Sequence, residues 1–145
     1  MFPNFALLFL LNPAKEILLL RRINTPFCNH CYSLPGGKIE LGESATATLI
    51  REAKHGLGII IEQKDLVFRH LMSRKCNDPE FFAAFFTTLS YTGDIINKEP
   101  DRHDDMQWFA LNNLPKNMVD AHRQAIEMMI QGTPYSEHGW QVAKN

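Results

Sequence analysis

Gly37-Lys38-Ile39-Glu40-Leu41-Gly42-Glu43, followed by Arg51-Glu52 and then His55-Gly56-Leu57-Gly58-Ile59, is the stretch on which the reading of this chain turns. Glycines such as Gly36 and Gly37 let a backbone approach a phosphate closely or offer a carbonyl to a metal. Ser44 is a candidate N-cap, which predicts a helix from Ala45 to about Leu57 with Gly58 as its stop. On that helix Thr46, Ile50, Ala53 and Leu57 share a face expected to pack on a sheet. Glu52 falls on the other side with Thr48, His55 and Gly56, over the Gly37 loop. Arg51 can pair with Glu43 and tie the loop to the helix. Carboxylates near a glycine loop suit magnesium, which takes a few carboxylates and fills its octahedron with water and substrate phosphate.

Outward from this stretch, the chain reads as strands with few helices. Met1 to Leu11 is apolar and reads as a buried strand, turning at Asn12-Pro13-Ala14-Lys15 into a second strand, Glu16 to Arg22. The two are expected to form a hairpin. Asn24-Thr25-Pro26 marks a loop, and Tyr32-Ser33-Leu34 a short strand. Ile59-Ile60-Ile61, Leu66-Val67-Phe68, Glu80 to Leu89 and Met106 to Phe109 are strand-like. Leu114-Pro115 opens a last helical region with the stripe Met118, His122, Ala125, Ile126 and Met129, Asn117 as a candidate cap and Gly132 as its stop. The methionines read as packing. Tyr135 and Trp140 in the tail are expected to dock on the body of the domain. A β-rich pattern with one middle and one late helix predicts an α/β/α sandwich with a mixed β-sheet.

Composition narrows the function classes. At 145 residues the chain fits a single domain, 1–145, with ordinary hydrophobic (45%) and charged (21%) content. A net charge of −1 argues against sequence-independent binding to nucleic acid. The apolar N-terminus lacks a positive start and a cleavage site, and it is too short to span a bilayer. The default expectation is therefore a cytoplasmic protein with no membrane partner, compatible with an oligomer. Cys28, Cys31 and Cys76 make an odd count, which suggests reduced thiols. Cys28-x-x-Cys31 lacks a second ligand pair for zinc and precedes a strand, so a structural role is favoured.

The segment Gly37 to Ile59 resembles the Nudix box, in which a glycine is followed after five residues by Glu and after seven more by Arg-Glu. Gly37, Glu43, Arg51, Glu52, Gly58 and Ile59 match. Leu20-Arg21-Arg22, Trp108-Phe109-Ala110-Leu111 and Leu114-Pro115 agree with it, so the resemblance covers roughly residues 3 to 132. It implies a Nudix-type fold and hydrolysis of a nucleoside diphosphate linked to another group, with Mg²⁺ or Mn²⁺. It further implies Glu52 as metal ligand or general base, Gly37 as a carbonyl ligand, Glu43 as an acid acting through water or a neighbouring group, and Arg51 as the residue that orients the carboxylates. Arg21, Arg22, Lys38 and Arg74 are candidate phosphate contacts. Phe27, Tyr32 and Phe82 are candidates for stacking a base, with core packing favoured for Phe82.

The chain departs from the box at His55 and Gly56, where the family has paired glutamates. Gly56 has no side chain, and His55 is a poor magnesium ligand although neutral imidazole binds transition metals. Three outcomes stay open: a weakened magnesium site with other acids holding the metal, a site using His55 for another metal, or a catalytically weak or inactive nucleotide-binding homologue. The acidic loop Asp101, Asp104 and Asp105 is a candidate source of a further acid, with a solvated loop as the blander reading. For substrate, the first proline beyond the box, Pro79, is too far for the ADP-ribose hydrolase pattern, and Tyr91 is the first tyrosine after it. Elimination leaves the MutT-like group that acts on nucleoside triphosphates, a small-molecule nucleotide as substrate, and pyrophosphohydrolase chemistry.

Overall fold

A computed structural model describes residues 3–76 and 79–140; the first two residues of the apolar N-terminal run, Met1 and Phe2, lie outside them. The order of elements is β1 (Phe5–Phe9), β2 (Glu16–Arg22), β3 (Tyr32–Ser33), β4 (Gly36–Lys38), α1 (Ala45–Glu52), β5 (Leu66–Lys75), β6 (Glu80–Thr88), β7 (His103–Ala110), α2 (Asp120–Gln131) and β8 (Tyr135–His138). A mixed five-stranded sheet runs β4-β1-β6-β5-β8, and an antiparallel three-stranded sheet runs β3-β2-β7. Strand β1 pairs antiparallel with β4 and parallel with β6. No helix among the described residues is long and apolar enough to cross a membrane.

The apolar runs of β1 and β2 have a physical cause. A strand covered on both faces loses the polar alternation of a half-exposed one. Leu7 and Phe9 of β1, with Ile17 and Leu19 of β2, enter a core shared with Ala121, Ala125 and Ile126 of α2. Ala6 and Leu8, with Leu18 and Leu20, enter a second core with Leu49, Ala53 and Leu57 on the α1 side. These two cores set α1 and α2 on opposite sides of the sheets, which is the α/β/α sandwich expected from the sequence.

The expected β1–β2 hairpin is corrected. The two strands belong to different sheets and meet only beside their turn, where Leu18 N–H donates to Leu10 O at 3.0 Å and Leu11 bridges Ile17. Their far ends, Phe5 and Leu7 against Leu20 and Arg22, stand on either side of a cleft. Double-faced burial satisfies both runs without pairing them to each other.

Helix α1 has the predicted cap: Ser44 Oγ accepts the Ala47 N–H at 3.1 Å. Its buried face is Thr48, Leu49, Ala53 and Leu57 rather than the face of Thr46 and Ile50. From Ala53 to Leu57 the chain forms a wider π turn, ended by left-handed Gly58 (φ 73°). A wider turn keeps residues four apart nearly in line, so Leu49, Ala53 and Leu57 share one face. The run Ile59-Ile60-Ile61 contributes a single bridge, Ile60 to Thr92, instead of a strand. Strands β5 and β7 extend well beyond the short apolar runs expected there, because charged and polar residues continue their ladders.

Helix α2 starts at Asp120 after Val119; Asn117 does not cap it and instead donates to His30 O at 2.9 Å. Gly132 stops it as expected. The tail docks through β8, parallel to β5, and Trp140 Nε1–H donates to Ser73 O at 3.1 Å. Phe82 is 47% exposed, so its expected core role is corrected. Its neighbour Phe81 takes the cleft side of the alternating strand.

Candidate active site

The loop carrying Glu40 and Glu43 is clamped to α1 by Arg51. Its Nε donates to Glu43 Oε2 at 2.7 Å and its second terminal nitrogen to Glu43 Oε1 at 3.0 Å, a two-point pair. The same guanidinium donates to Lys38 O at 3.2 Å and to Glu52 Oε1 at 2.9 Å. Glu43 also accepts from the Glu40 N–H and the Thr48 hydroxyl. Arg51 above all, then the Glu40 amide and Thr48, hold the Glu43 carboxyl down to about 2, while Arg51 is raised. Both Glu43 oxygens are thus engaged by Arg51, which also bonds Glu52.

Glu52 reaches over the glycine loop, as the sequence predicts. A side chain on Gly37 would put its Cβ 2.6 Å from Glu52 Oε1, so glycine is needed for the carboxylate to approach this backbone. Both residues line a cavity of about 700 Å³ between the two sheets. Lys38, Glu40, Gly56 and Glu99 line it as well, and Arg22 and Arg74 gather about the Phe27 ring with His122 beside them.

Glu99 is the acid that the sequence reading missed. It sits before β7, where Ile96 N–H donates to Leu57 O and Lys98 N–H to Gly56 O, both at 3.0 Å. Those two bonds lay the loop along the end of the helix. A Cβ built on Gly56 would stand 3.0 Å from Glu99 Oε1. The carboxylate of Glu99 thus occupies the space that a side chain at position 56 would enter. Its Oε2 accepts from Arg102 at 3.1 Å. The signal available in the sequence was proximity: Glu99 lies just before the acidic loop of Asp101, Asp104 and Asp105.

The remaining candidates separate. Arg22 and Lys38 line the cavity, whereas Arg21 lies outside it, paired with Asp104 at 2.7 Å and set over the Tyr32 ring. That pair raises Arg21 and lowers Asp104. Asp105 is engaged by the Tyr32 hydroxyl and Gln107, and none of the three aspartates lines the cavity. His55 is exposed and does not line it either. Tyr32 is buried with its ring edge on Phe109, away from the cavity. The cysteines are free thiols, and burial raises Cys28.

Among the described residues no group of three or more His, Cys, Asp or Glu side chains stands close enough to hold a metal ion by itself. A sparse donor set fits a hard cation that draws its other oxygens from water and substrate phosphate, and it does not fit a closed structural site. The backbone at Gly37, the Glu52 carboxylate beside it and Glu99 over Gly56 are the groups present for such an ion.

A cleft between two sheets of an α/β/α sandwich thus ends in a glycine loop clamped to α1 through Arg51. The chain belongs to the Nudix family: the NUDIX domain model matches residues 1–129. It is 34% identical over 116 residues to a protein named ADP-ribose pyrophosphatase from Methanocaldococcus jannaschii, covering 78% of this chain and 64% of that one. It is 29% identical over 110 residues to the NAD-capped RNA hydrolase NudC of Pseudomonas putida, covering 76% of this chain and 37% of that one. The chain therefore spans less than two thirds of the length of these curated relatives. Among solved structures, it superposes on a MutT NUDIX hydrolase from Burkholderia pseudomallei with a TM-score of 0.77 at 28% identity, covering 86% of this chain and 95% of that one. A MutT protein from Methanosarcina mazei gives a TM-score of 0.77 at 21% identity over 89% of this chain and 93% of that one, a likeness of fold.

Proposed function

We propose that this chain is a pyrophosphohydrolase that uses Mg²⁺ or Mn²⁺ to cleave the diphosphate linkage of a nucleoside triphosphate or other nucleoside diphosphate derivative. The observation that carries this reading is Glu99 Oε1 lying 3.0 Å from where a Gly56 side chain would begin. An acid missing along the chain is thereby supplied through space. Glu52 and Glu99, with the Gly37 carbonyl, are the groups that would hold the cation. The bound ion would offset phosphate charge as the transition state develops. Glu43 and Arg51 position Glu52. Lys38 and Arg22 meet the negative charge of the substrate. Water attacks a phosphorus, its proton passes to a carboxylate at the Glu52 end, the P–O–P bond breaks, and the leaving phosphate takes the bonding pair. His55, exposed and off the cavity wall, is left out of this set.

The names of the relatives bear on the substrate. Likeness to a protein named ADP-ribose pyrophosphatase supports counting diphosphate-bridged nucleotides, the class that the distant Pro79 set aside, among the candidate substrates with nucleoside triphosphates. A second reading, nucleotide binding with little turnover, is favoured by one contact: Arg102 engages Glu99 Oε2 and draws on its charge. Assays of nucleoside triphosphates and nucleoside diphosphate sugars with Mg²⁺ and with Mn²⁺ decide between the two. Glu52→Gln is expected to lower kcat by roughly 10²–10⁴-fold with substrate affinity largely kept. Unchanged turnover in that variant would remove Glu52 from its role. No turnover with any substrate and metal, together with measurable binding, would establish the second reading.

A further inference from the structure

The cavity wall holds a cation that the proposed cleavage does not use. Arg74 lies on β5, next in the alternation to the core residue Met72, and points inward rather than to solvent. It is 8% exposed, and its Nε is buried without a hydrogen-bond partner among the described residues. Burying a guanidinium without a partner is costly, so such groups are ordinarily paired. Here the neighbours are aromatic. The guanidinium lies 5.1 Å from the Phe81 ring centre and 6.0 Å from that of Phe27. Arg22, on the facing sheet, lies 5.8 Å from the same Phe27 ring, and its guanidinium donates to Phe27 O and the Thr25 hydroxyl. Among the described residues neither arginine forms an ion pair, in contrast to Arg21, Arg51 and Arg102.

The titratable groups around them leave this charge standing. Burial lowers both arginines, and the groups that draw on them are the thiols of Cys28, Cys31 and Cys76 rather than carboxylates. His122 lines the same cavity and is held neutral by burial and by the two arginines. Among the described residues the two guanidinium groups are paired with no carboxylate; Arg102, itself bonded to Glu99, faces Arg22, and Arg74 on β5 is separated from the Gly37 strand by β1 and β6. Aromatic walls fix the position of the cations but supply no counter-charge.

We infer that the Arg22–Arg74 part of the cavity wall is a second anion subsite, which selects nucleoside diphosphate derivatives carrying a further phosphate or carboxylate away from the scissile linkage. A guanidinium presents its N–H donors in a plane that matches either oxyanion. The inference rests on the proposed hydrolase reading for the placement of the diphosphate at the Glu52 end, but the charge pattern at Arg74 stands without it.

Binding is the deciding measurement, because it needs no turnover. Calorimetric titrations of Glu52→Gln protein in Mg²⁺ compare two matched pairs: UDP-glucose with UDP-glucuronate, and ADP-ribose with its 2′-phosphate. The first pair reads a carboxylate and the second a phosphate. The charged member of at least one pair is expected to bind about tenfold or more tightly, and the pair that responds names the source of the anion. Arg74→Met, which removes the charge and fills the buried position with an apolar side chain, should collapse that preference, and Arg74→Lys should keep part of it. Equal affinity within both pairs overturns the inference even if the Arg74 variants fail to fold. A preference that persists in Arg74→Met overturns the role of Arg74. If hydrolysis is absent in wild-type protein but the binding preference is present, the proposed function fails while the subsite stands.

Discussion

On the proposed reading, Glu99 serves the motif position that Gly56 vacates. Glycine at 56 leaves room for a carboxylate from another segment, and Glu99 fills it with Oε1 3.0 Å from the notional Cβ. The consequence is specific. Glu99→Ala is expected to lower kcat by roughly 10²-fold, and Gly56→Glu added to it should recover part of the loss. Gly56→Glu alone should not raise activity, since its side chain would enter the space held by Glu99. Steady-state rates of the three variants check this; a gain from Gly56→Glu in the wild-type background would mean that Glu99 does not stand in for it. His122 is a second residue whose behaviour follows from its surroundings. Burial, then Arg74 and Arg22, push its imidazole down to about 3, while Nδ1 accepts the Leu34 N–H at 3.1 Å. An unfolded histidine takes up its proton near pH ~6.5, so between about 6.5 and about 3 the unfolded chain binds more protons. Stability from this group is complete above about pH 6.5 and falls as the pH drops towards 3. His122→Asn keeps an acceptor for Leu34 and should flatten that slope in denaturant melts between about pH 7 and about pH 4. An identical slope in the variant would assign the dependence to other groups.

At the scale of elements, α1 shows which part of a helix a periodic pattern can place. Its start was legible because a serine before Ala45 satisfies the Ala47 N–H locally. Its buried face was not, because the π turn at Ala53–Leu57 shifts residues after Glu52 relative to a regular helix. Leu49 is 1% exposed and sits in the core with Leu18, Leu20 and Ile59, while Thr46 is only half-buried. Leu49→Ala is therefore expected to cost about 2–5 kcal/mol in chemical denaturation, and Thr46→Ala about 0.5 kcal/mol or less. The reverse order would restore the regular-helix face. Strands β1 and β2 carry the same lesson in another form. Their apolar runs signalled burial on both faces, but not which strand each would pair with, since pairing depends on partners far away in the chain.

Across the whole molecule, the site is assembled from segments that are distant in sequence and held by separate means. Arg51 ties the glycine loop to α1, the bonds from Ile96 and Lys98 lay the Glu99 loop on the helix end, and β5 carries Arg74 to the far side of the cavity. Strand β8 closes the open edge of β5. His70, fully buried, has its two ring nitrogens on Thr133 O and Ser136 Oγ, both at 2.7 Å, and Leu71 N–H donates to Pro134 O at 2.8 Å. The matched family region ends at residue 129, before this strand. Truncation after Gly132 is expected to strand His70 and bare the β5 edge, lowering Tm by about 2–4 °C for each kcal/mol lost and promoting association. Unchanged melting of the truncated chain, read by calorimetry and light scattering, would show that β8 contributes little.

The sequence by itself determined what is local or set by fixed spacing: the glycine loop, the Ser44 cap, the Arg51–Glu43 pair, Glu52 over Gly37, and with them the family. Those features depend on residues within one turn or one loop of each other. The structure alone decided the partition of β1 and β2 between sheets, the removal of His55 and Arg21 from the cavity, and the arrival of Glu99; Arg74, a candidate phosphate contact from the sequence, lines the cavity. A carboxylate brought beside Gly56 from 43 positions away leaves no spacing signal, because its place is fixed by how loops and sheets pack. The same holds for a buried cation, whose aromatic neighbours Phe81 and Phe27 are set by packing across the two sheets.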